Sequence, residues 1–145
     1  MQAVALARQD VPQGEFLCLE LESLPGSLDT GYDGVLADLV LHYHPWQETV
    51  SATRALAGMM VPGGTLMFRV NASDDTEFGA GQGEEVEPGL YLVPSEGIVK
   101  RYFAEFDVRR LMGEAGLSIE GLEHAETTKY GGRTKRTWQG SARQG

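Results

Sequence analysis

Cysteine is nearly absent: Cys18 is the only one in 145 residues. No internal disulfide can form, so a reducing compartment, the cytoplasm, is the expected setting. Basic residues are scarce, with twelve Lys and Arg against 21 Asp and Glu and a formal net charge of −9. Such a chain repels a phosphate backbone, which argues against non-specific nucleic-acid binding. Apolar runs are short, and none reaches the ~18–20 residues of a membrane span. The opening MQAVALARQD lacks the basic region and apolar stretch of a secretory leader. Internal repeats and low-complexity tracts are missing too. What remains, 41% hydrophobic and 23% charged, is ordinary globular composition, and the length suits a single domain over residues 1–145.

The few bases cluster at the end. Lys129, Arg133, Lys135, Arg136 and Arg143 fall in residues 127–145, which hold no acid. This run reads as a closing edge hairpin whose charges discourage edge-to-edge pairing, with an anion contact as the alternative.

Residues 2–9 have helix-forming composition. Residues 15–21 (EFLCLEL) alternate in polarity, and so short a run predicts a buried strand, broken at Leu24-Pro25-Gly26. Residues 32–41 predict a second strand running into a loop at His42-Tyr43-His44-Pro45. Val50, Thr53, Leu56, Ala57 and Met60 recur at three and four, one apolar helical stripe over 46–60. Pro62-Gly63-Gly64 stops that helix, and residues 65–70 form a third strand of β-rich composition. Residues 71–98 are polar, acidic and Gly-rich, far longer than the usual connection of about 2–6 residues, and read as a functional or disordered loop. Phe106, Val108, Leu111, Met112 and Ala115 mark a helix over 105–115, with Gly116 as a left-handed cap. Residues 118–125 and 134–142 are two closing strands around Gly131-Gly132. Strands alternating with helices predict an α/β fold, and the closing pair, joined without a helix, implies an antiparallel edge.

Several segments carry a family resemblance. Residues 32–43 (YDGVLADLVLHY) look like the fourth strand and following loop of the class I S-adenosylmethionine-dependent methyltransferases. Residues 61–66 (VPGGTL) look like the turn into their fifth strand, and residues 103–117 like a later helix. Residues 69–75 (RVNASDD), 79–81 (GAG), 84–87 (EEVE) and 100–103 (KRYF) resemble a bacterial subgroup, similar to tellurite-resistance-type methyltransferases. The resemblance implies a truncated Rossmann-like methyltransferase fold, mostly parallel, of strand order 3-2-1-4-5-7-6 with an antiparallel last strand. It starts after the family's glycine-rich cofactor loop and ribose-binding acid. S-adenosylmethionine is therefore the implied cofactor, with negligible or weak binding expected of this chain alone. The letters of residues 77–83 (EFGAGQG) match that loop, but no buried strand precedes them and no helix follows. Without strands one and two, Phe16, Leu17, Leu19, Val35 and Leu36 lose apolar cover, so the chain is expected to be unstable as a monomer, to self-associate through the exposed sheet edge, or to need the missing segment from elsewhere.

The resemblance also implies roles. Glu20, after the third strand, would accept a hydrogen bond from the adenine amine. Asp38 and Leu39 would flank the sulfonium, where Asp38 offsets positive charge or acts as a base. His42, with an unperturbed pKa of about 6.5, suits taking a proton from a nucleophile; a packed, hydrogen-bonded histidine is the alternative. Arg69, Asn71, Asp74 and Asp75 would line the acceptor pocket, or else form a solvated acidic loop. Lys100 and Arg101 read as ion-pair partners of that loop, and Trp46 and Trp138 as packing residues. His42 and His44 share a face if extended, yet no third ligand lies near, so no metal is expected. The expected function is methyl transfer to a small-molecule acceptor, which is in-line displacement governed by orientation. The alternative is a non-catalytic, methyltransferase-derived binding protein.

Overall fold

Leu66, Phe68 and Val70 alternate with Met67 and Arg69, and this period of two builds an inner strand, β2 (Met60–Asn71). In the computed structural model, which describes residues 2–24 and 26–145, β2 pairs in parallel with β1 (Tyr32–Asp38). On its other side it pairs antiparallel with β7 (Thr134–Gln144), which in turn pairs antiparallel with β6 (Leu117–Thr128). The order is β1-β2-β7-β6, so three strands run one way and the C-terminal strand runs against them. The expected mainly parallel α/β sheet with an antiparallel C-terminal strand is present. That strand lies inside the sheet, next to the edge strand β6.

Two helices cover one face. Val50, Leu56 and Ala57 of α2 (Trp46–Gly58) and Val108, Leu111 and Met112 of α3 (Glu105–Glu114) close over Ala37, Leu66, Phe68, Val70 and Ala142. Each large apolar side chain buried here contributes about 1.5–3 kcal/mol. The opposite face is bare: Leu36 is 67% exposed and Met67 48%. The N-terminal helix α1 (Gln2–Asp10) buries no residue.

Several expectations are corrected. The strand over 15–21 does not form: Leu21–Ser23 is a 3-10 turn, and the outer edge of β1 has no partner among the described residues. Alternation marks a face, but a strand also needs a neighbour for its backbone groups. Leu17 and Leu19 are accordingly exposed, while Leu21 and Leu24 pack on the core. The stripe over 46–60 ends early. The Met59 carbonyl accepts the N–H groups of Gly31 (2.8 Å) and Tyr32 (3.0 Å), and Met60 already belongs to β2. Pro62-Gly63-Gly64 lies within β2 at a register shift against β1. Phe106 leaves the α3 stripe and is 72% exposed.

Residues 71–98 are not an irregular loop. After a 3-10 turn at Thr76–Phe78, they contribute to an antiparallel meander of β3 (Glu85–Glu87), β4 (Leu90–Val93) and β5 (Ile98–Arg101). Its turns use left-handed Gly89 and Gly97, and its β-rich runs are hidden in acidic composition. The basic tail is corrected as well, because it belongs to the inner strand β7. Arg136 bonds Glu126 (3.1 Å) and Arg143 bonds Glu120 (2.6 Å), both on β6, so the tail balances its neighbour's acids.

Candidate active site

The carboxyl ends of β1 and β2 lie side by side, and the chain turns sharply between β1 and α2. Leu39 adopts a left-handed φ of 54°, and its N–H donates to the Arg69 carbonyl at 2.9 Å. That conformation costs a leucine about 1–2 kcal/mol, and fully buried Leu41 beyond it anchors the turn. The turn carries His42 inward. Its carbonyl accepts the Arg101 N–H at 2.7 Å, its ring lies 4.2 Å from that of Tyr43, and only 3% of the residue is exposed.

His42 lines a cavity of about 140 Å³ together with Leu39, Asn71, Lys100, Tyr102 and Lys135. Its Nδ1 has no hydrogen-bond partner among the described residues. Burial, then the charges of Lys135 and Lys100, lower its pKa to about 3, so the imidazole is neutral throughout the physiological range. Lys135 Nζ donates to Asn71 Oδ1 at 2.7 Å and pairs with Asp75, which is fully buried and also accepts the Arg136 N–H at 2.9 Å. The Tyr102 hydroxyl donates to the Phe78 carbonyl at 2.6 Å. Burial, then the negative charges of Asp75 and Glu96 and the nearby Tyr43, push its pKa up to about 12.

The other candidates divide. Asp38 and Arg69 pair with each other over the bare face, in a depression of about 710 Å³. Asp74 is outside the cavity, its carboxylate 2.9 Å from His124 Nε2. Glu20 borders a groove of about 400 Å³ with Leu24, Leu36, Ala37, Val40 and Tyr43. Lys100 pairs with Glu96 (3.4 Å), and Arg101 with Glu87 (3.1 Å). Glu87 also accepts the Trp46 N–H at 3.1 Å, and the Trp138 indole donates to Phe103; both tryptophans thus pack as expected. Residues 77–83 form turns leading to β3, with no strand-turn-helix arrangement.

His44 parts from His42: its Nδ1 stands 3.4 Å from Glu22 and 3.6 Å from Glu48, both well exposed. Sequence reasoning missed Lys135 and Tyr102 as wall residues. The one available signal was the basic tail, opposite in sign to the acidic segment it meets.

No protein-family model and no curated protein matches the sequence. Solved structures do match. One is an S-adenosylmethionine-dependent methyltransferase from Methanosarcina mazei, at TM-score 0.76 and 16% identity, over 99% of this chain and 77% of that one. A second is the Burkholderia thailandensis 1,6-didemethyltoxoflavin-N1-methyltransferase with bound 1,6-didemethyltoxoflavin and S-adenosylhomocysteine, at TM-score 0.69 and 17% identity, over 99% and 56%. A third is the N-methyltransferase NodS from Bradyrhizobium japonicum with S-adenosylhomocysteine, at TM-score 0.64 and 16% identity, over 99% and 62%. The chain thus spans between 56% and 77% of these three, and across that span it has the Rossmann-like fold of S-adenosylmethionine-dependent methyltransferases.

Proposed function

We propose that this chain carries the acceptor side of an S-adenosylmethionine-dependent methyl-transfer site acting on a small molecule. The supporting observation is the partly open cavity at the carboxyl ends of β1 and β2, walled by buried His42 and by Asn71, where open α/β sheets take their ligands. The Glu20 groove suits the adenosine end: apolar walls for the purine and an exposed carboxylate for its amine. Leu39 is in the cavity wall, and its near neighbours Ala37 and Val40 are in the groove wall, so the two spaces meet at the end of β1.

S-adenosylmethionine, when bound, supplies an activated methyl group. Transfer of that group would be an in-line displacement, and the chain's own task would be to orient the acceptor. Neutral His42 aims the acceptor by a hydrogen bond, and Asn71 fixes Lys135 in the wall beside it. Asp38, held by Arg69 at the end of β1, would offset the positive charge of the sulfonium, as the family resemblance implies. Asp74 is committed to His124 and receives no role.

Calorimetry of the chain with S-adenosylmethionine and S-adenosylhomocysteine tests this reading, followed by labelled methyl transfer to a panel of small acceptors. Weak but saturable cofactor binding is expected, because among the described residues no glycine-rich turn leads from a buried strand into a helix. No binding at millimolar cofactor and no labelled product would leave the non-catalytic binding protein, the reading favoured by the mutual neutralisation of Asp38 and Arg69.

A further inference from the structure

We propose that the His42 cavity receives its acceptor as an anion, a carboxylate, phenolate or comparably acidic ring nitrogen, held between Lys100 and Lys135. For the reaction this rests on the methyl-transfer reading; for binding it stands alone. Acids outnumber bases 21 to 12 in the chain, yet the cavity wall holds two lysines and no carboxylate. Asp75 compensates Lys135, with two of its three ammonium protons taken. Among the described residues Lys100 has only Glu96 as an ion-pair partner, at 3.4 Å and more than half exposed, so water screens that partner and the lysine's charge stays largely unbalanced.

The wall's hydrogen-bonding capacity points the same way. The Tyr102 hydroxyl is spent on Phe78, and the Asn71 amide on Lys135 and the Arg101 carbonyl. What remains is mostly N–H: the free protons of Lys100 and the third proton of Lys135, beside a neutral His42 ring with one N–H and one acceptor nitrogen. His42 Nδ1 is an unpartnered polar atom in a nearly sealed residue, a group that folded proteins ordinarily satisfy with a ligand or water. Burial is the first cause of the neutral imidazole and opposes any charge, but the second cause, the charges of Lys135 and Lys100, attracts an anion.

The chemistry is consistent. An imidazole of such low proton affinity is a poor base for a neutral alcohol or amine. An acidic acceptor needs no base in the pocket, since its proton passes to solvent on binding. Its lone pair forms the new bond to the methyl carbon as the C–S bond breaks. Anion and sulfonium then become a neutral methylated product and a neutral thioether.

The test uses the whole chain with benzoate and its neutral isostere benzamide, followed by calorimetry and by the His42 ring resonances. Benzoate should shift those resonances saturably and benzamide should not. Lys100→Met should weaken benzoate binding about tenfold or more, and Lys100→Arg should retain it. No benzoate binding, equal binding of benzamide, or an unchanged affinity in Lys100→Met would overturn the proposal. If benzoate binds but no cofactor does, the methyl-transfer reading fails and the anion site stands. If cofactor binds and benzoate does not, the reverse holds.

Discussion

Asp38 and Arg69 stand opposite one another in the parallel β1–β2 pair and are joined by two hydrogen bonds, Nε to Oδ1 at 2.7 Å and Nη2 to Oδ2 at 3.0 Å. Two residues expected to serve cofactor and acceptor separately thus form one unit. Both are partly exposed, so a double-mutant cycle with Asp38→Ala and Arg69→Ala should give a coupling of about 0.5–1 kcal/mol in urea unfolding. In any form of the protein that methylates, Asp38→Ala should lower turnover far more than it lowers stability. Equal, small losses in both would make the pair a surface bridge only.

His42 makes stability depend on pH. The unfolded ring takes up a proton near pH 6.5, the folded ring only near 3. Between these values the unfolded chain binds a proton that the folded chain refuses. The contribution of neutral His42 is therefore complete above pH 6.5 and lost progressively as pH falls towards 3. The gap corresponds to on the order of 5 kcal/mol. Chemical denaturation of wild type and His42→Leu from pH 7 to pH 4 should show the wild type losing stability faster. Parallel curves would contradict the buried neutral ring.

Much of the fold is legible in the sequence, because its signals are local. Val50, Leu56, Leu66 and Phe68 carry the helical and strand periods that place α2 and β2, and His42 and Asn71 follow from their places at strand ends. Other features are not local. Lys135 reaches Asn71 across 64 residues of sequence, through a pairing that β7 makes only in the folded sheet. Leu90–Val93 and the run beginning at Ile98 are strands in a segment whose glycine and acid content signals a loop. Residues 15–21 show the opposite error, since their alternation is genuine but the partner strand is not there.

The start of α3 is half capped. The Asp107 carboxylate accepts the Ala104 N–H at 2.9 Å, but Ala104 has no oxygen to return the bond to the first-turn N–H groups. Ala104 is exposed and extended, φ −75° and ψ 163°, the backbone a capping serine adopts. Ala104→Ser or Ala104→Asp should stabilise by about 1 kcal/mol, read as a raised denaturation midpoint. An unchanged or lower midpoint would show those N–H groups already satisfied by water.

Gly140 is fixed by a close strand approach. It faces Leu122 across the β6–β7 hairpin, next to the register shift between Ile119 and Gly121. A Cβ at Gly140 would collide with the Gly121 carbonyl oxygen and come within 3.1 Å of the Phe68 ring. The carbonyl belongs to the sheet backbone and cannot move aside without opening the ladder. Gly140→Ala should therefore cost about 1–3 kcal/mol or more. At Gly121 the nearest atom to an added Cβ is Ser141 Oγ, at 3.8 Å, so Gly121→Ala should be nearly neutral. Equal midpoints for the two variants would rule out the tight crossing.

The bare face of the sheet and the open edge of β1 bear on association. Leu36, on β1, and Met67, opposite it on β2, are largely exposed. Leu17 and Leu19, which as a strand would have covered apolar surface, are exposed too. At about 25 cal/mol per Å² of apolar surface, covering a few such side chains is worth several kcal/mol. That is a large share of the roughly 5–15 kcal/mol that stabilises a typical domain. An unpaired strand edge beside such a surface favours contact with a second copy of the chain. Size-exclusion chromatography should show elution that shifts with concentration, and the denaturation midpoint should rise with concentration as well. Leu36→Lys places a charge on that edge strand and face, away from the core, and should move the equilibrium to monomer. A monomeric wild type with one concentration-independent, high-midpoint transition would mean that the helix-covered face supplies a sufficient core and the bare face needs no partner.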